Sequence, residues 1–214
     1  MTRIKICGIR DETHALAAVE AGADFIGLVF APSKRQISPA RAREITDAVK
    51  KSSATTKVVG VFVNAPVFQI NEIADFCALD VVQLSGTESW EDCNKIANPV
   101  IKAIRVGRQS PEDICAELSA ASSLLDGRRF VTLLDSEVEG KYGGTGESFN
   151  WDLAQQVAKK FQVIIAGGLT PANVGRLVRE VQPWGVDVST GVESNGLKDA
   201  SKIRAFIEAV RSTR

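Results

Sequence analysis

A single histidine, His14, occurs in 214 residues, so a mechanism built on a histidine base, or a site with several histidine metal ligands, has almost nothing to draw on. Cysteine is sparse as well. Cys7, Cys77, Cys93 and Cys115 form no C-x-x-C pair, which excludes the spacing of a zinc cluster or a small disulfide scaffold and predicts reduced thiols. Acid–base chemistry therefore falls to carboxylates or to cysteine. Neither sign of charge is in surplus: 26 Lys plus Arg balance 26 Asp plus Glu, so bulk electrostatics offers nothing to a nucleic acid. Long hydrophobic runs are missing too, none approaching the roughly 18 residues that a bilayer-spanning helix takes, and no membrane partner is expected. Met1-Thr2-Arg3 leads straight into Ile4 to Gly8 without a basic segment followed by an apolar one, which predicts a cytoplasmic location. Nucleotide-binding glycine patterns are also absent. Cys7-Gly8-Ile9-Arg10 stands where G-x-G-x-x-G would follow a first strand, and no G-x-x-x-x-G-K-[ST] occurs.

What is present is repetition. Eight short runs rich in Val, Ile and Phe (4–7, 25–30, 58–63, 81–84, 100–106, 130–134, 163–166 and 185–188) are each followed by a longer stretch with helical spacing. That is about 27 residues per unit, what a strand, a short loop and a three-turn helix use. Asp11, Ser38-Pro39, Ser110-Pro111 and Thr170-Pro171 read as helix starts, and Gly22 as a helix stop. The count of eight favours an α/β fold, one (β/α)8 barrel spanning residues 1–214, over an open doubly wound sheet.

Barrels place their chemistry just after the C-terminal ends of the strands, which selects a short set of residues. Cys7 ends the first run, where a lowered pKa would make its thiol a base or nucleophile; the other three cysteines fall on predicted helices or their edges and read as structural. Asp135 follows the sixth run, where a carboxylate cannot turn back into an apolar core without a partner. Next comes a glycine-rich stretch, Gly140 to Gly146 with Gly144 inside it, whose backbone suits close approach to a ligand. Gly167-Gly168-Leu169 and Ser189-Thr190-Gly191 follow runs seven and eight, where barrels bind phosphate groups through backbone N–H donors. Arg35, in a loop after the second run, suits bidentate pairing with a carboxylate.

In these residues the chain resembles the phosphoribosylanthranilate isomerases of tryptophan biosynthesis. The resemblance is carried by K-I-C-G-I at 5–9, S-K-R at 33–35, G-V-F-V-N at 60–64, D-x7-G-G-T-G-x2-F-N-W from Asp135 to Trp151, A-G-G-L-x-P-x-N-V at 166–174 and G-V-D-V-S-T-G-V-E at 185–193. It implies a (β/α)8 barrel and a cofactor-free Amadori rearrangement of N-(5-phosphoribosyl)anthranilate, an aminoaldose, to the 1-deoxyribulose phosphate aminoketose. It also implies that Cys7 is the general base at C2 and Asp135 the general acid at the ring oxygen. Arg35 would face the anthranilate carboxylate, Gly168 and Ser189 to Gly191 the phosphate, and Asp187 the sugar hydroxyls. The expected partner is a small phosphorylated substrate, with no metal, and the expected state a monomer or homodimer. The chain departs from the family pattern at Ser85, where Q-L-H-G is usual, and at Asn150, where F-D-W is usual and Asn would cap the next helix in place of Asp. A sugar-phosphate-binding regulatory barrel is the alternative that Ser85 leaves open; the histidine-pathway isomerase barrels rely on paired aspartates rather than Cys7.

Overall fold

In the computed structural model, residues 1–125, 127, 130–136 and 151–213 are described. Eight parallel strands run in chain order around a closed barrel: β1 (Arg3–Cys7), β2 (Phe25–Val29), β3 (Lys57–Phe62), β4 (Val81–Leu84), β5 (Val100–Val106), β6 (Phe130–Ser136), β7 (Val163–Ile165) and β8 (Gly185–Val188). Closure is made by β1 pairing with β8, Lys5 opposite Asp187 and Ile6 opposite Val188. The helices alternate with them: α1 (Glu12–Ala21), α2 (Pro39–Ser52), α3 (Val67–Phe76), α4 (Trp90–Lys95), α5 (Pro111–Leu124), α6 (Trp151–Ala158), α7 (Val174–Val181) and α8 (Ala200–Arg211). Among the described residues no helix is long and apolar enough to cross a membrane.

Side-chain alternation along each strand divides the core in two. Outward residues such as Ile4, Ile6, Ile26, Leu84 and Val186 join helix residues such as Ile45, Leu118, Leu177 and Phe206 in the layer between barrel and helices. Inward residues Phe25, Val59, Ile101, Leu133 and Ile164 fill the barrel itself. This is why the runs read as continuous apolar segments: parallel strands are covered on both faces.

Local signals positioned most helices. Asp11 accepts from the His14 backbone N–H, Ser38 from that of Arg41 and Ser110 from that of Asp113, and Gly22 closes α1 in the left-handed region. Thr170-Pro171 departs from expectation. It lies in a turn, and α7 begins three residues later at Val174, because the Asn173 Oδ1 atom takes the Thr170 N–H at 2.8 Å and its amide donates to the Gly168 carbonyl at 3.0 Å. These bonds satisfy the loop without a helix there. After β8 the chain adds a three-residue 3-10 turn (Thr190–Val192) and a hairpin, β9 (Glu193–Ser194) with β10 (Leu197–Lys198), which the strand count did not include. Asn195 and Gly196, both at positive φ, turn it.

Candidate active site

The site is built from the inward residues at the C-terminal ends of the strands. Cys7 is the last residue of β1 and is buried. Two residues deeper, Lys5 is 1% exposed, and its Nζ donates to Asp187 Oδ1 at 3.0 Å. Gly27 makes this proximity feasible: a Cβ there would lie 2.9 Å from Cys7 Sγ and 3.2 Å from Lys5 Nζ. Sulfur, ammonium and carboxylate thus share one buried pocket on β1, β2 and β8.

The electrostatics of that pocket correct one expectation. Burial pushes the Cys7 thiol above its ordinary range and Asp187 adds to the rise, outweighing the opposing pull of Lys5 and Lys198. Burial there therefore favours the thiol over the thiolate. Burial also works against the charge on Lys5, but the Asp187 carboxylate and the Cys7 sulfur together outweigh it and push its pKa up. Cys77 and Cys93 are pushed up by burial to about 11, in keeping with structural roles.

Asp135 is the penultimate residue of β6, within the strand rather than after it, and half-buried. Its register partner on β5 is Arg105, so a guanidinium-bearing side chain springs from the adjacent strand at the same level. Gly144 and Asn150 lie outside the described residues.

Arg35 reaches the mouth between the β1 and β8 loops, but its Nε edge is already engaged. Nε donates to Glu193 Oε1 at 2.6 Å and Nη2 to Glu193 Oε2 at 3.0 Å, with a further bond to Thr190 Oγ1 at 3.0 Å. Glu193 is also bound by Lys198 at 2.9 Å. Burial works against the Glu193 charge, yet the bonds from Arg35 and Lys198 win and hold its pKa at about 2. The loops after β7 and β8 meet where Gly191 backs onto the Leu169 carbonyl, which a Cβ at 191 would overlap. Gly167 and Gly168 are both at positive φ, turning the first of these loops.

At the end of β4 the Gln83 amide donates to Ser85 Oγ at 2.9 Å. Gln83 Oε1 is buried and, among the described residues, has no hydrogen-bond partner. Such an acceptor is costly to leave unmet, so a ligand donor is well received there. The β4 loop is braced from outside by the buried pair Lys102–Glu88 at 3.1 Å, Lys102 also reaching the Gly86 carbonyl at 3.0 Å.

The sequence reading missed Lys198, Glu193, Asn173 and the Lys102–Glu88 pair. Two signals were available: Asn195-Gly196 is a strong two-residue hairpin mark, and a lysine inside the apolar run 100–106 demands a buried partner.

The loops after β7 and β8, a buried cysteine and a strand-borne aspartate thus share one barrel mouth. The model of N-(5'-phosphoribosyl)anthranilate (PRA) isomerase matches residues 4–209. The chain belongs to this family. Phosphoribosylanthranilate isomerases similar to it include the N-(5'-phosphoribosyl)anthranilate isomerase of Dehalococcoides mccartyi, 44% identical over 99% of this chain and 96% of that one. Among solved structures, the phosphoribosylanthranilate isomerase of Thermotoga maritima superposes with a TM-score of 0.86 at 39% identity, covering 99% of both chains. A second, in complex with reduced 1-(o-carboxyphenylamino)-1-deoxyribulose 5-phosphate, gives 0.82 at 38% identity, again over 99% of both.

Proposed function

We propose that the whole chain, residues 1–214, is one catalytic domain that carries out the Amadori rearrangement of N-(5-phosphoribosyl)anthranilate in tryptophan biosynthesis, without metal or organic cofactor. Asp135 protonates the ring oxygen as the C1–O bond breaks, giving a cationic Schiff base. Cys7, as thiolate, takes the C2 proton, and the resulting enolamine tautomerises to the aminoketose. The single observation that carries this reading is the buried Cys7 set against Lys5 and Asp187 at the mouth of a family barrel. The cationic Schiff base offsets the cost of burial, since a positive charge beside the sulfur favours the thiolate. Gly168 and Ser189 to Gly191 hold the phosphate. Asp187 faces the sugar hydroxyls, and Arg35 keeps its charge toward the anthranilate carboxylate with its remaining N–H groups. The enzyme works in the cytoplasm as a monomer or homodimer.

Substrate and product have equal mass, so the decisive experiment is NMR of the purified protein with phosphoribosylanthranilate. The ribose C1 and C2 signals are expected to convert to those of the aminoketose; binding without conversion would leave a regulatory barrel instead.

Ser85 bonds the Gln83 amide and is assigned no proton transfer, so Ser85→Ala is expected to lower kcat less than threefold and to raise KM by about three- to tenfold, the effect of releasing one neutral hydrogen bond. Steady-state kinetics checks this. A loss as complete as that of a Cys7 variant would reassign the proton transfers.

A further inference from the structure

Lys198 is one of the most buried cations among the described residues, and its ammonium is fully committed. Its three N–H groups go to the Ser189 carbonyl at 2.8 Å, Ser189 Oγ at 3.2 Å and Glu193 Oε1 at 2.9 Å. It therefore does not itself reach a ligand in this arrangement. The Arg35 bond to Thr190 Oγ1 at 3.0 Å repeats the pattern one residue on. A hydroxyl has one O–H and two lone pairs, and a cationic N–H seated on a lone pair can take no hydrogen bond in return. Each O–H must then donate elsewhere, and among the described residues neither finds a protein acceptor. Glu193 keeps both cations in place, and two cations against one carboxylate leave the trio at +1.

We propose that Lys198 is a positioning residue for the phosphate loop: together with Arg35 it polarises the Ser189 and Thr190 hydroxyls into donors aimed at an anion. The inference rests on the reading of this loop as the phosphate site. It explains why the cations are turned to Glu193 and the hydroxyls rather than left open: two oriented O–H donors and backbone N–H groups give a phosphate fixed geometry, while the net charge acts from behind. The hairpin of β9 and β10 then has a task, since it is what brings Lys198 back beneath Ser189.

The test measures KM, kcat and competitive inhibition by inorganic phosphate for Ser189→Ala, Lys198→Met and the double variant. Each single change is expected to raise KM and the phosphate inhibition constant about tenfold, with a smaller change in kcat. In the Ser189→Ala background, Lys198→Met is expected to add less than threefold, because its route to the anion is already gone. An equal factor in both backgrounds, or a loss confined to kcat, would overturn the proposal while leaving the phosphate site in place. Unaltered phosphate inhibition in Ser189→Ala would overturn the proposal, because the hydroxyl would then not reach the anion; absence of competitive inhibition by phosphate in the unsubstituted enzyme would remove the phosphate site itself. If Lys198→Met does not fold, Lys198→Gln, which keeps an N–H donor without the charge, is expected to show the same dependence on Ser189 with a smaller loss, and equal losses in both backgrounds again overturn it. Thr190→Val, at an exposed position, should weaken phosphate inhibition about threefold through the Arg35 arm, and no change there would confine the device to Ser189 and refute the paired form stated here.

Discussion

Cys7→Ala is expected to cut turnover by about 10² to 10⁴-fold while changing substrate affinity far less, and Asp135→Asn to do the same, because each removes one proton transfer rather than a binding contact. The pH dependence separates them. Burial holds the Cys7 thiol above the ordinary cysteine range, so in the free enzyme the thiolate fraction grows as pH rises through that elevated value. Accordingly the limb of the kcat/KM profile that belongs to Cys7 is expected to lie above about pH 8.5, the ordinary thiol value, and to vanish in Cys7→Ala, whereas the limb set by protonated Asp135 vanishes in Asp135→Asn. Iodoacetamide should react with Cys7 slowly at neutral pH, faster as pH rises, and more slowly with a substrate analogue bound. Near wild-type turnover in either variant, or alkylated Cys7 with full activity, would remove that residue from the mechanism.

Lys5→Met is expected to have the second largest effect, and on two quantities at once. It leaves the Asp187 carboxylate, 9% exposed and otherwise bonded to Lys5 at 3.0 Å, as an unpaired charge inside the barrel. Breaking one side of such a pair costs about 3–5 kcal/mol, whereas replacing both members by apolar groups of similar size is far milder. Denaturant titration should therefore show a large loss in Lys5→Met and substantial recovery in Lys5→Met/Asp187→Leu. Activity should not recover with stability. Lys5 is the largest influence holding the thiol pKa down, so without it the thiolate limb moves to still higher pH and turnover at neutral pH falls. The Asp187 carboxylate acts in the opposite direction on the thiol, so Asp187→Asn is expected to move that limb toward lower pH. A pH–rate profile unmoved by either single change would show that the pair is structural alone.

How far the chain could be read in advance depended on the range of the interaction. All eight strands were legible, because a parallel strand buried on both faces needs a run of β-branched residues whatever its neighbours are. Most helix starts were legible too, since a cap such as Ser38, Ser110 or Asp11 bonds its own helix within three residues. Cys7 and Asp135 could be singled out because strand ends in a barrel share one mouth, a rule of topology that requires no coordinates. The contacts between remote residues were decided only on folding. Lys5 and Asp187 are 182 positions apart, and Arg35 and Glu193 are 158 apart. The engagement of Arg35 by Glu193, and the upward push of burial on the Cys7 thiol, escaped the sequence for the same reason. Charge pairing and desolvation depend on which groups the closed barrel brings within a few ångströms, and the sequence alone carries residue types but not those distances. By itself the sequence determined the repeat, the helix caps and the residues that the mouth would offer. The tertiary structure decided which of those charges are spent on one another, because only closure of β1 against β8 buries them together and lets burial compete with pairing.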